Sequence, residues 1–268
     1  MQYCILRKEG YPMFTSEYEA LSSAAVAKKN LFTKNPLGFF VSSMVAGMFI
    51  SFGSFIAMCI GGFSTAAGSD MTKFLVSFTF AAALSLVIMA GCELFTGNNL
   101  VLSAGAFKKK ITWGDAIKLW IVCYLGNFIG SWIMVLIFQL TNICGNPAIA
   151  EFFASTSEAK MGLTPMAQFS RGLLCNICVC LAVWCATKLK SESGKLIMII
   201  WCILIFMICG FEHSIANMSI LGVGMLNPCD YVLTIGAYFQ NLLFVTLGNM
   251  VGGIAFVSVP YLIISKEA

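Results

Sequence analysis

The chain has 268 residues, of which 59% are hydrophobic and only 10% charged. That balance excludes a soluble globular domain of this length and marks a polytopic, all-α membrane protein. The net charge of +4 does not describe a nucleic-acid surface, because the basic residues are scattered over separate short loops.

Residues 1–34 contain no apolar core of the signal-peptide kind, so neither cleavage nor export is expected. Met13 is an alternative start to Met1, which would make residues 1–12 dispensable. From Phe14 to Phe32 the spacing predicts a short helix with Tyr18, Leu21, Ala25 and Leu31 on one face, suited to the inner membrane interface. Lys28, near its end, reads either as a headgroup anchor or as a residue beside an inner pore mouth, with a gating role for the segment.

Six apolar runs follow, at roughly 36–63, 71–107, 114–142, 162–187, 196–226 and 233–264, set against the ~20 residues that cross a bilayer. The second and fifth are too long for one straight helix. With the N-terminus inside, Arg7, Lys8, Lys28, Lys29, Lys34, Lys108, Lys109, Lys110, Lys188, Lys190, Lys195 and Lys266 fall on one side, and Asp70, Glu151, Glu158 and Asp230 on the other. Lys and Arg are retained in the cytoplasm, so both termini are expected there and the protein in the cell inner (plasma) membrane. Cys175, Cys178 and Cys180 lie close together, but with one histidine in the chain they offer no metal or haem site; they read as small buried hydrophobes, and no cofactor is expected.

The long runs share a pattern. Gly91-Cys-Glu93-Leu-Phe-Thr-Gly-Asn98 and Gly210-Phe-Glu212-His-Ser-Ile-Ala-Asn217 both read G-x-E-x-x-x-x-N, 119 residues apart. Leu125-Gly126-Asn127-Phe-Ile-Gly130 and Leu247-Gly248-Asn249-Met-Val-Gly252 match 122 residues apart, whereas the first and fourth runs show no convincing match. Two matched pairs in the same order imply a duplication, and three spans per copy turn the second copy upside down. The expected division is a segment at 1–34, a first three-helix repeat at 35–145 and an inverted second repeat at 146–268.

Gly, charge and short polar residues weaken the middle of each long run, so both read as broken helices. Each break exposes a helix N-terminus at the membrane centre, and two facing ends favour an anion. Glu93 and Glu212, with Asn98 and Asn217, read as structural groups, the carboxylates accepting from freed N–H groups or from the facing repeat. The paired glycines of each G-x-x-x-G serve close helix packing. His213 is the chain's only histidine, and with Glu212 it lies in an apolar stretch, where an ionisable group costs roughly 2.5–3.5 kcal/mol at the helix centre.

Five segments together resemble the formate/nitrite transporter family along nearly the whole chain: Asn35-Pro-Leu-Gly-Phe39, Glu93-Leu-Phe-Thr96, Ile111-Thr-Trp-Gly114, Cys175-Asn176 and Gly210-Phe-Glu-His-Ser-Ile-Ala-Asn217-Met. The resemblance implies an aquaporin-like six-transmembrane-helix protomer, assembled as a homopentamer with a pore in each protomer. It implies His213, Thr96 and Asn176 at the pore centre. Leu94, Phe206, Phe80, Leu84 and Phe95 would form the constrictions, and Lys160 would attract anions in the outer vestibule. The expected partners are the lipid bilayer and small monovalent anions. The compact, cysteine-rich chain is similar to hydrosulfide-conducting members, so hydrosulfide leads, with formate and nitrite also passing.

These anions are bases of weak acids, so one path serves either the ion or the neutral acid. His213 is the one group here whose ordinary pKa lies near neutrality, which would let it share or donate a proton. A nitrite or formate transporter working by proton-coupled or neutral-acid permeation is the alternative. A membrane oxidoreductase lacks a cofactor motif, and a purely lipid-organising protein leaves the repeated polar centres unexplained.

Overall fold

The structure, a computed structural model, describes residues 13–265; Arg7, Lys8, Lys266 and the stretch before Met13 lie outside the described residues. Every regular element among the described residues is helical: α1 (Thr15–Lys34), α2 (Pro36–Ala66), α3 (Thr72–Thr79), α4 (Ala81–Ala90), α5 (Phe95–Phe107), α6 (Trp113–Leu140), α7 (Pro147–Met161), α8 (Pro165–Lys188), α9 (Glu192–Ile208), α10 (Ser214–Leu226), α11 (Ile235–Gly253) and α12 (Val259–Ile264). The rod Thr72–Ala90, α2, α6, α8 and the rod Ile235–Ile264 are long and apolar enough to cross a membrane. The second apolar run is the α3–α4 rod plus α5, and the fifth is α9 plus α10, so both long runs are interrupted.

Helices that begin at the loops carry local caps. The side chains of Asn35, Asn146 and Thr164 accept from Gly38, Ala148 and Ala167 N–H, each followed by a proline at the first helical position. Thr112 and Asp115 cap each other at the start of α6. α7 occupies what reads from sequence as an outer loop; the Asn146-Pro147 start is its signal.

The breaks are made differently. Gly91 (φ 78°) and Gly210 (φ 71°) turn the chain into the left-handed region. Nothing lies within 4 Å of where a Cβ on Gly91 would stand, so backbone conformation alone demands glycine there.

Two tight helix pairs form the scaffold. In α2–α6, a Cβ on Gly130 would collide with the Met44 carbonyl; in α8–α11, a Cβ on Gly252 would collide with the Leu173 carbonyl. The matching contacts align Met44 with Leu173 and so relate the first and fourth spans, for which the sequence offers no convincing match. α5 packs on α8 and α11 as well as on α6, and α10 packs on α2 and α6 as well as on α11. Each half therefore inserts its short helix into the other.

α1 lies on the protein rather than free in the interface. Tyr18, Leu21 and Ala25 are buried, whereas Leu31 is exposed. Glu19 pairs with Lys108 (3.2 Å) and Lys110 (2.6 Å), and Lys29 with Asp115 (2.7 Å). The hydrogen bond from Lys110 holds the Glu19 carboxyl below the usual carboxylate range. A depressed carboxylate contributes docking that is present above its ordinary pKa and is lost as pH falls through the lowered value. Acidification and Glu19→Gln should therefore both loosen α1. Protease cleavage after the α1 lysines should rise in acid for the wild type, and be raised at neutral pH in Glu19→Gln.

Candidate functional site

The freed helix ends are held by two asparagines. Asn127 Oδ1 accepts from Phe95 N–H (2.9 Å), while its Nδ2 donates to the carbonyls of Ser43 (2.6 Å) and Glu93 (3.0 Å). Asn249 repeats this with Ser214 N–H (3.0 Å) and the carbonyls of Gly172 (2.7 Å) and Glu212 (3.0 Å). Both asparagines are fully buried. Each bonds three backbone groups, and a buried polar group left unpaired costs about 1–3 kcal/mol.

The carboxylates differ from the sequence expectation. No described bond joins them to the freed N–H groups; each lies one residue before its helix cap and takes a lysine instead. Lys28 Nζ meets Glu93 Oε2 at 2.6 Å, and Lys160 Nζ meets both oxygens of Glu212 at 2.9 and 3.0 Å. Asn98 Nδ2 donates to Glu93 (2.9 Å) and Asn217 Nδ2 to Glu212 (2.7 Å). Pairing also removes the repulsion that a bare carboxylate would exert on an anion. The lysines come from α1 and α7, so these short helices occupy matching places in the two halves.

A cavity of about 100 Å³ is lined by Phe80, Phe206, Lys160, Asn217 and His213. A second, of about 340 Å³, is lined by Lys28, Glu93, Leu94, Leu84 and Asn98. Phe80 and Phe206 meet edge to face with centroids 6.0 Å apart, and Phe206 stacks parallel to His213 at 6.2 Å. Phe95 lines neither cavity. Its N–H is taken by Asn127 at the start of α5, and its ring packs edge-on against Tyr124 (5.0 Å).

His213, in the wall of the first cavity, has its Nε2 3.0 Å from the hydroxyl of Thr96, whose neighbours Leu94 and Gly97 line the second. His213 is the N-cap of α10, and its Nδ1 accepts from Ala216 N–H (3.1 Å). The hydrogen-bond network thus assigns the proton of a neutral imidazole to Nε2, which donates to Thr96 Oγ1. An imidazolium would set Nδ1–H against Ala216 N–H at the positive end of a helix. The matching cap of α5 is Leu94, which has no polar side chain. Asn176 is fully buried beside Thr96, donating from Nδ2 to the Thr96 carbonyl (3.2 Å), Asn99 Oδ1 (2.9 Å) and the Asn249 carbonyl (2.7 Å).

Sequence reasoning took Asn127 and Asn249 only as part of a packing motif. Their recurrence 122 residues apart was the available signal, and the pairing of the lysines with the glutamates had none.

Two interdigitated three-helix halves, each with a broken helix and a lysine-bearing cavity, define an aquaporin-like integral membrane transport protein. Residues 15–263 match the formate/nitrite transporter family, and the chain belongs to it. It is 33% identical over 249 residues to the nitrite transporter NirC of Escherichia coli (strain K12), covering 93% of this chain and 91% of that one. Among solved structures it is similar to an FNT family ion channel (TM-score 0.87, 31% identity, 94% of this chain and 100% of the other). It is also similar to a pentameric formate channel with formate bound (TM-score 0.77, 32% identity, 86% and 98%). These relatives transport rather than catalyse, and the protein is a channel of this family, not an enzyme.

Asn249→Leu should leave Ser214 N–H and the Gly172 and Glu212 carbonyls without their partner. The expected loss is at least about 1–3 kcal/mol, read as a lower thermal unfolding midpoint in detergent. Asn127→Leu should behave alike.

Proposed function

We propose that the protein is a homopentameric channel of the cell inner membrane, with both termini cytoplasmic. It passes small monovalent anions of weak acids: hydrosulfide first, with formate and nitrite also carried. The single observation that carries the reading is the Thr96–His213 hydrogen bond, set beside two cavities that each hold a lysine fixed on a glutamate. The pentameric formate channel and the nitrite transporter among its relatives support the substrate class and the assembly. Contact of α1 with the basic residues Lys108 and Lys110 supports its place on the cytoplasmic side. The proposed division is residues 1–34, a first repeat at 35–145 and an inverted repeat at 146–268.

An anion enters the outer vestibule past Lys160, whose positive charge raises the local anion concentration. Phe80 and Phe206 form the outer constriction; Leu94 and Leu84 form the inner one. A bare ion in an apolar ring loses its hydration, so these rings favour a species that has taken up a proton. Thr96, His213 and Asn176 form the polar centre, and Glu93, Glu212, Asn98 and Asn217 keep the breaks and lysines in place. Lys28 does at the inner cavity what Lys160 does at the outer one, and its position on α1 links that helix to gating.

The neutral-acid alternative has its own support. With Nδ1 held by Ala216 N–H, His213 acts as a neutral hydrogen-bond donor from Nε2, and serving as a proton source requires that cap bond to break. The sequence expectation of a proton-sharing histidine is thereby narrowed to a conformation in which α10 loses its cap.

Flux into proteoliposomes tests the reading, with hydrosulfide, formate, nitrite and chloride compared under a clamped potential. Fast, voltage-driven entry led by hydrosulfide is the expected result; slow entry that rises with acidity and ignores voltage would establish the alternative. His213→Asn should change the pH profile while the pentamer persists, and an unchanged profile would remove the protonation role. Lys160→Gln should weaken flux on the order of several-fold at low anion concentration and much less near saturation.

A further inference from the structure

The two halves solve the same packing problem with different residues at one place. Asn127 donates to the Ser43 carbonyl and Asn249 to the Gly172 carbonyl, which makes these positions equivalent. One turn further on, the first half has Gly47, where a Cβ would strike the Asn127 carbonyl; the second has Asn176, whose amide donates to the Asn249 carbonyl. By the 119-residue offset of the broken helices, Asn99 answers to Met218, and both are fully buried. At one of the two equivalent positions, where α10 of the second half packs on α2 of the first, the pair is therefore a glycine and a methionine. At the other, where α5 of the first half packs on α8 of the second, it is two amides that the scaffold does not require.

The amide pair is incompletely bonded. Asn176 Nδ2 serves three acceptors, the Thr96 carbonyl, Asn99 Oδ1 and the Asn249 carbonyl, while Asn176 Oδ1 and Asn99 Nδ2 have no partner. The orientation of Asn176 follows from those acceptors, because a flipped amide would set its oxygen against three others. What remains is one donor and one acceptor, both buried, beside the carbonyl of Thr96. Buried polar groups in folded proteins are very largely paired, so two complementary orphans in one contact mark a place for a small polar guest. The surroundings are tight: a Cβ on Gly253 would come within 2.8 Å of Asn176 Nδ2 and of Cys180 Sγ. A π-helical turn, Ile254–Ser258, starts at the next residue, a distortion frequent at functional sites.

We infer that Asn99 is a specificity-determining residue of the pore centre: Asn99 Nδ2 and Asn176 Oδ1 receive the protonated weak acid. A molecule H–X donates its proton in a hydrogen bond to Asn176 Oδ1 and accepts one at X from Asn99 Nδ2, with no bond broken. The deprotonated anion can use only the Asn99 donor and meets the Asn176 oxygen unfavourably. The amide pair thus reads the proton, and the Thr96–His213 donors read the negative or electron-rich end. This inference rests on the neutral-acid alternative given under Proposed function. It adds a residue and a discrimination to it.

The test compares Asn99→Thr with Asn99→Val, which match in volume and differ in one hydroxyl. Purified full-length protein in proteoliposomes is assayed for formate uptake at acidic and alkaline external pH and for osmotic water permeability. Threonine should keep uptake within about threefold of wild type and valine should lose on the order of tenfold in acid, the worth of one hydrogen bond to the guest. The difference should shrink in alkali, where the protonated form is scarce. Equal uptake by the two variants at both pH values would overturn the inference, as would a change confined to water permeability. Should valine prevent assembly, Asn99→Ser and Asn99→Ala, both smaller than the native amide, make the same comparison. A wild-type protein that takes up no formate, nitrite or hydrosulfide overturns the weak-acid reading itself, and is recognised before any variant is compared.

Discussion

A helix that starts inside a membrane protein has backbone N–H groups with no water to receive them, and this fold contains two such starts. All else depends on their satisfaction by Asn127 and Asn249, which come from long, unbroken helices and each tie three backbone groups. Because the same amide also holds a carbonyl of the neighbouring span, each cap fixes the separation of two helices as well as the position of a break. The G-x-x-x-G surfaces then permit the backbones to approach closely enough for that reach.

The duplicated frame supplies the symmetry, and departures from it supply the chemistry. Leu94 caps one broken helix without a polar group, and His213 caps the other with an imidazole nitrogen. Gly47 and Met218 stand at one position where α8 and α5 bring Asn176 and Asn99 to the equivalent one. Polar groups accumulate on one side of the centre, where they meet Thr96, while the lysine–glutamate pairs stay alike on both sides. Pairing each lysine with a glutamate beside a helix break brings a cation to the break without leaving net charge in a region of low dielectric.

Much of this was legible beforehand. The repeats and the interrupted spans were readable because apolar run length and motif recurrence are properties of the linear chain; His213 stood out as the single histidine in an apolar stretch, and Thr96 and Asn176 came only with the family resemblance. The bonding partners of the glutamates were misread, because a carboxylate next to freed N–H groups in sequence need not point at them in space. α7 passed for a loop: its 15 residues are too few to span a bilayer, and hydropathy was the ruler in use. The contact of the Phe95 ring with Tyr124 was not legible, because successive residues at a helix start point in different directions.

The sequence by itself determined a membrane protein of two related halves with two broken helices, because burial in hydrocarbon constrains composition and length, and duplication leaves its offset in the chain. Only the tertiary structure decided which lysine meets which glutamate, which atom of His213 carries the proton, and that Asn99 leans on Asn176. Those partners lie from 52 to 77 residues apart in the first and last of these contacts. Their meeting depends on how α1, α5, α7 and α8 are packed together, which no local pattern encodes.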